Sequence, residues 1–341
     1  MKNLIKLYIL GVFFTQCAVQ EWAIPSFVRF SDEDRLKMLD RSAVVIKKEF
    51  SLPATQILFS WNALRPKSGE YVFFMQIYDA TTKRWSDWVR VAEWGKHNQR
   101  SFEKSFREQS SFFYVRWQVP DAHISTKCRV KVQVTGGASL SDLYQLSFAA
   151  INFPTFVSEN GGRFSFPSTG IKNMPPISQM EANHSQRNSI CSPASLSMVV
   201  SYLNGQYEAP EAFAQGAYDH GLLAYGSWPF NIAHAFDRCK KRFYFAVTRL
   251  NSFAEIYKYL TRRLPVVVSV RGGMSTMPPG KTYKEGHLLV VVGWDNDRKK
   301  VLCYDPAFDS YKKVSHAYDI LDFIKAWERS KRLAYVIEPR L

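Results

Sequence analysis

The chain has 341 residues, 46% hydrophobic and 22% charged, and its Lys and Arg outnumber Asp and Glu to give a formal charge of +15. That length and apolar content supply more than one hydrophobic core and exclude a disordered or low-complexity chain. The positive balance favours anionic surroundings such as envelope polymers, lipid headgroups or acidic substrates. The basic residues nevertheless fall in short clusters such as Lys47-Lys48, Lys240-Lys241-Arg242, Arg298-Lys299-Lys300 and Lys312-Lys313, with no nucleic-acid motif among them. They read as a solvated basic surface, and nucleic acid is not expected as a partner.

The N-terminus opens with the basic Met1-Lys2-Asn3-Leu4-Ile5-Lys6, continues with an almost wholly apolar run over 7–14, and then turns small and polar. This pattern reads as a secretory signal over residues 1–20, too short to span a bilayer. The mature chain is then expected to be exported (periplasmic, cell-surface or secreted), with membrane contact only through the N-terminus if that is retained. Export permits disulfides, but Cys17, Cys128, Cys191, Cys239 and Cys303 are too widely spaced for a disulfide framework or a zinc signature. No metal or other cofactor is expected. Cys303 lies inside an apolar strand and reads as core.

A short helix is expected over 32–41, and from about 44 to 153 the texture is β. Residues 71–78 are aromatic and β-branched, 79–83 read as a turn and 85–91 as the returning strand. Residues 114–119 and 129–135 alternate, with Val115, Trp117 and Val119, then Val130, Val132 and Val134, on the inward side. Several short strands without a long helical pattern predict an antiparallel sandwich. Trp61, Trp85, Trp88, Trp94 and Trp117 fit either its core or a sugar-stacking surface, and burial, the usual fate of aromatics on alternating strands, favours core. Gly161-Gly162 with Pro154, Pro167, Pro175 and Pro176 mark a linker over 156–174. Residues 175–341 then follow an α+β order, helices first and strands later.

In this second region Gln186-Arg187-Asn188-Ser189-Ile190-Cys191-Ser192-Pro193 places a cysteine at a helix start. Leu196, Val199, Val200 and Leu203 have the spacing of one buried helical face, Pro193 fits only a first turn, and Asn204-Gly205 supplies the stop. At such a position unpaired backbone N–H groups and the helix dipole favour the thiolate, which is the nucleophilic form. Further along, a short helix is expected over 210–219, one starting at Ser227-Trp228-Pro229 with Ser227 as cap, one carrying Phe253, Ile256, Tyr257 and Leu260, and a buried strand from Pro265. A loop of small and polar residues, 272–286, separates that strand from Gly286-His287-Leu288-Leu289-Val290-Val291-Val292-Gly293.

Folding this last strand as a hairpin centred on Asn296 sets His287 directly across from Asp305. Opposed residues on antiparallel strands have Cβ atoms roughly 4.5–5.5 Å apart, close enough for an imidazole–carboxylate hydrogen bond. The carboxylate would hold one tautomer of the ring and leave the other nitrogen to deprotonate a thiol. His184, His220, His234 and His316 lack such a partner and read as structural. An oxyanion donor is also required; Gln179 and Gln186 are the side-chain candidates beside the Cys191 N–H, and local spacing prefers Gln186.

These residues resemble cysteine peptidase family 39, the relatives of double-glycine leader peptidases, and in particular its stand-alone secreted members. The resemblance rests on Pro176-Ile177-Ser178-Gln179, Cys191-Ser192-Pro193-Ala194-Ser195, Trp228-Pro229-Phe230-Asn231, Leu264-Pro265-Val266-Val267-Val268-Ser269, the His287 strand and Asp305-Pro306. It implies a papain-like fold with Cys191 as nucleophile, His287 as base and Asp305 as orienting acid. It also makes Gln179 the oxyanion residue, with Gln186 in reserve. Many members carry glycine where Ser192 stands, and the chain shows no transporter domains. The expectation is an α+β papain-like cysteine peptidase domain behind an all-β sandwich-like domain (25–155), acting on a peptide or protein. An amide or acyl transfer on cell-wall peptides, or a non-catalytic envelope-binding protein, are the alternatives.

Overall fold

The computed structural model describes residues 21–106, 110–113, 116–278 and 280–340. The expected signal segment, and Tyr114 and Val115 of one expected strand, lie outside the described residues. Between Trp22 and Asn152 the chain forms two six-stranded antiparallel sheets. One runs in the order Ala23–Arg29, Leu143–Ile151, Gln56–Ala63, Arg116–Gln118, Ser110–Phe113 and Lys104–Phe106. The other runs Ala43–Ala54, Ser125–Thr135, Glu70–Asp79, Val89–Gly95 and Arg100–Ser101, with Arg84–Trp85 paired to Glu70–Asp79. The period-2 pattern explains the second sheet: Cys128, Val130 and Val132 are buried while the alternating Lys127, Arg129 and Lys131 are half-exposed. The expected helix after the first strand is Asp32–Lys37, started by a Ser31/Asp34 capping box. The return over 85–91 is broken rather than continuous, because the Ser86 hydroxyl takes the Ile77 N–H and interrupts the ladder.

Burial separates the tryptophans. Trp61, Trp94 and Trp117 have no exposed surface, and Trp61 stacks on Phe73 at 4.4 Å. Trp85 lies under the Arg129 guanidinium at 3.9 Å, and Trp88 is 36% exposed. The three wholly buried rings are therefore core.

The strand Gln56–Ala63 is buried at every position, because each of its faces meets a different core. Ile57, Phe59 and Trp61 enter the sandwich core, whereas Leu58 joins the core of the second half. On the latter face Asn62 donates to the Phe245 carbonyl at 2.9 Å and accepts the Phe245 N–H at 2.8 Å, so an amide side chain closes an edge strand that would otherwise be open. The helix Trp228–Arg238 straddles both cores: Phe230 and Ala233 pack into the sandwich, Ile232, Ala235 and Phe236 into the second half. Ser227 does not cap it through its side chain; instead Asn231 returns its side-chain N–H to the Ser227 carbonyl at 2.9 Å. Asp219 adds a polar lock, accepting the N–H and hydroxyl of Ser101 at 2.9 and 2.6 Å.

The second half holds a seven-stranded antiparallel sheet, Phe243–Arg249, Leu333–Pro339, Val266–Gly272, Tyr283–Asp295, Lys300–Tyr304 and Ser315–Asp319, with Thr169–Gly170 paired to Tyr283–Asp295. The segment read as a linker thus contributes a strand. It does so where Gly170 faces Gly293, a place where a Cβ on Gly293 would come within 2.7 Å of the Thr169 carbonyl. Helices Cys191–Asn204, Pro210–Ala217, Phe253–Thr261 and Ile320–Arg329 complete the α+β arrangement.

Candidate active site

Cys191 is the first residue of its helix, which ends at Asn204 with Gly205 in the left-handed region at φ 68°. The helix is buried all round from Ser192 to Ser201, not along the single face its apolar spacing suggests. Its serines make this possible, because each hydroxyl has a partner. Ser195 donates to the Leu288 carbonyl at 3.0 Å, Ser201 to Ser197 at 2.6 Å, and Ser192 shares a hydrogen bond with the Tyr335 hydroxyl at 2.9 Å. The Ser195 bond ties the first turn of the helix to the residue after His287. That contact explains how a cysteine and a histidine 96 positions apart are brought together.

No side chain caps this helix at Ile190, so its first N–H groups are available to Cys191. Cys191 is partly exposed as a residue, whereas Cys128, Cys239 and Cys303 are buried. Burial by itself raises the Cys191 thiol, but the hydrogen bond and charge of His287, with the Leu288 and Ser192 N–H groups, outweigh it and hold the thiol below its ordinary value. Burial pushes the other three thiols up.

His287 is 4% exposed and its Nε2 lies 2.7 Å from Asp305 Oδ1, which leaves Nδ1 as the nitrogen facing Cys191. Burial disfavours the imidazolium, but Asp305 and then Cys191 more than reverse this and raise the ring to about 10. The lowered thiol and the raised imidazole both favour a thiolate–imidazolium pair. Asp305 has no exposed surface. Its desolvation is outweighed by His287, the Tyr318 hydroxyl and the Ala307 N–H, so the carboxyl lies below its ordinary value.

The hairpin that delivers Asp305 differs in register from the one centred on Asn296. Asp295 pairs with Lys300 across a four-residue turn, and after an irregularity at Val292 the register is Val290 opposite Tyr304. One further step would set Asp305 against Leu289, two residues from His287. The turn is wider because Asp295 accepts both the N–H and the Nε–H of Arg298, at 3.0 and 2.6 Å. Direct opposition is therefore replaced by a diagonal pair on the same face of the sheet. The strand ends at Tyr304, and the Asp305 N–H donates to Val314 at 2.9 Å.

Gln179 is 2% exposed. Its backbone N–H donates to the Pro306 carbonyl at 2.9 Å and its amide nitrogen to the Arg187 carbonyl at 2.8 Å, which fixes the amide orientation. It thereby links the residue after Asp305 to the turn before Cys191. Gln186 is exposed at the start of that turn, Arg187–Ser189, and makes no side-chain cap. Sequence reasoning missed the other partners of Asp305: Tyr283 and Tyr318 donate to Oδ2 at 2.8 and 2.7 Å, and the Ala307 N–H to Oδ1 at 2.9 Å. A buried carboxylate has several lone pairs to satisfy, so donors beyond the imidazole were required, but nothing in the local pattern says which residues supply them.

An α+β domain of this build, with a thiol at a helix tip meeting a strand-borne imidazole, is that of the papain-like cysteine peptidases. Residues 171–335 match the Peptidase C39-like family, and this match supports a cysteine peptidase domain in the C-terminal half of the chain. Among solved structures the chain is similar to a C39-like peptidase from Bacillus anthracis, with 18% identity, a TM-score of 0.39, and 51% of this chain and 99% of that one covered. It is also similar to xylellain, a cysteine protease from Xylella fastidiosa, with 11% identity, a TM-score of 0.33, and 52% and 87% coverage. No curated protein matches the chain.

Proposed function

We propose that this chain is an exported peptidase that cleaves peptide bonds through Cys191, His287 and Asp305. The observation that carries the proposal is a cysteine at a helix start beside a buried imidazole that is hydrogen-bonded on its far side to a wholly buried carboxylate. In the resting pair Cys191 is already the thiolate. It attacks the substrate carbonyl carbon, and the tetrahedral oxyanion is met by the Cys191 N–H and by the amide N–H of Gln179 not engaged with Arg187. His287 Nδ1 gives its proton to the leaving amine, the C–N bond breaks, and a thioester remains. Water, losing a proton to the same nitrogen, attacks the thioester and releases the acid and the thiolate. Asp305 keeps Nε2–H bonded throughout, so the ring neither flips nor changes tautomer.

The test is a digest of a broad peptide library by wild type beside Cys191→Ala, run in parallel with cell-wall fragments. Peptide products present with wild type and absent with the variant support the proposal. Release from wall fragments alone reassigns the same residues to wall-peptide chemistry, and no product in either arm, with an inert Cys191, refutes a catalytic role. Export rests on the basic and apolar pattern of residues 1–14. Fractionation of cells, with N-terminal sequencing of the mature chain, checks it, as binding to anionic wall polymer with salt reversal checks the proposed role of the basic surface.

A further inference from the structure

Asp305 is held by more than the histidine. Its Oδ2 accepts two phenolic hydroxyls, Tyr283 at 2.8 Å and Tyr318 at 2.7 Å, from two different strands, while Oδ1 serves His287 and the Ala307 N–H. Tyr283 also lies flat on the His287 ring, with centroids 4.0 Å apart and planes inclined by 18°. It reaches that position because Gly286, at φ +99°, introduces an irregularity just before the histidine: Gly272 pairs with Tyr283 and Val270 with His287, two residues on one strand against four on the other. Both tyrosines are buried, at 7% and 0% exposure, so neither hydroxyl is held for solvent.

We propose that Tyr283 and Tyr318 are positioning residues for the reaction assigned above: they hold the Asp305 carboxylate fixed and charged behind His287, and so keep the Cys191–His287 ion pair in place. The inference rests on that assignment. A carboxylate with no exposed surface stays ionised only while its lone pairs are satisfied. With both hydroxyls removed, Oδ2 loses both tyrosine donors, protonation of the acid becomes easier, and the imidazolium loses its counter-charge. The thiol then ionises at higher pH, so the shift runs upward. The groups that face Asp305 are His287 and Tyr283 from one strand, Tyr318 and His316 from another, and Cys303 from its own; Cys191 acts through His287. None is a cation that could replace the imidazolium except His316, which burial shifts towards its neutral form.

Tyr283→Phe, Tyr318→Phe and the double variant remove the hydroxyls and keep the rings. Two readouts are compared with wild type and Asp305→Asn: iodoacetamide alkylation of Cys191 as a function of pH, followed on the Cys191 peptide by mass spectrometry, and kcat and KM on a cleaved library peptide. Loss of hydrogen bonds to a charged group predicts that the acid limb of alkylation moves up by about one pH unit in the double variant, with smaller shifts in the singles. At pH 6 kcat falls about tenfold with KM little changed. A wild-type limb in both single variants and in the double, whatever their melting temperatures, overturns the proposal and leaves the tyrosines as packing. A wild-type Cys191 that alkylates only near pH 9 instead refutes the ion pair, and this proposal with it.

Discussion

His287→Ala tests the site most directly, because it removes the group that does most to reverse the effect of burial on Cys191. The hydrogen bond and charge of His287 are the main influences that offset desolvation of the thiol. Without them burial prevails, and the thiol moves to its ordinary value or above. A thiol of pKa about 8.5 is only ~0.3% ionised at pH 6. A thiolate–imidazolium pair that persists at pH 6 therefore holds at least ~100-fold more thiolate than the variant. The gain in rate is smaller, because a thiolate of lower basicity is intrinsically slower, by about tenfold for a difference of two to three units at a Brønsted slope near 0.45. The expected outcome is alkylation of Cys191 about tenfold slower in His287→Ala than in wild type at pH 6, with the two curves crossing above pH 9. Iodoacetamide rates from pH 5 to 10, read on the Cys191 peptide, measure this. His287→Gln serves as a second variant, since stranding the Asp305 charge costs about 3–5 kcal/mol and lowers the stability of the alanine protein. Equal rates for wild type and both folded variants at pH 6 would refute the ion pair and the mechanism built on it.

The same pair has a signature in stability against pH. The raised His287 contributes stability that is full below 6.5 and is lost as the pH rises through about 10, whereas the lowered Cys191 contributes stability that grows up to 9.0, so the two slopes oppose each other. Melting temperature between pH 6.5 and 9 should therefore fall less in wild type than in Cys191→Ala, measured by differential scanning calorimetry. Asp305, held below its usual 3.8, contributes stability that is present above that value and lost as the pH falls through its folded value, and Asp305→Asn should flatten this acid limb in the same scan. Asn62→Ala orphans the buried N–H and carbonyl of Phe245, and at about 1–3 kcal/mol for each group should lower the unfolding free energy by roughly 2–6 kcal/mol in urea titration. A chain starting at residue 156 should be insoluble or molten when expressed alone, with low near-ultraviolet circular dichroism, because Phe230 and Ala233 would lose the sandwich core they pack into.

The elements were legible where one face meets one neighbour. The strand Ser125–Thr135 alternates because only one side of it is covered, and the helix start at Cys191 is marked by Pro193 and its end by Gly205. Legibility failed where an element is covered on both sides. Gln56–Ala63 carries Ser60 and Asn62 in a run that burial alone would make apolar, and both polar groups exist to bond a strand from the other half of the chain, a partner about 185 residues away that no local window contains. The Cys191 helix shows the same limit, since its serines mark a helix packed all round rather than a solvent-facing side.

The pairing of His287 with Asp305 shows why a wrong register can still yield the right neighbours. Counting from Asn296 displaced the carboxylate by two positions along the strand, and two is the period of side-chain direction in a sheet. An even slip keeps every side chain on its face and turns direct opposition into a diagonal, at about 7–8 Å between backbones, a span that an imidazole and a carboxylate reaching toward each other can close. A slip of one would have sent the acid to the other face of the sheet, toward Tyr304 and Leu302, with no route to the thiol. What the spacing encodes is therefore parity rather than distance: the choice of face is written in the sequence, while the final approach to 2.7 Å depends on a turn held by Asp295 and Arg298 and on an acid clasped by two distant tyrosines.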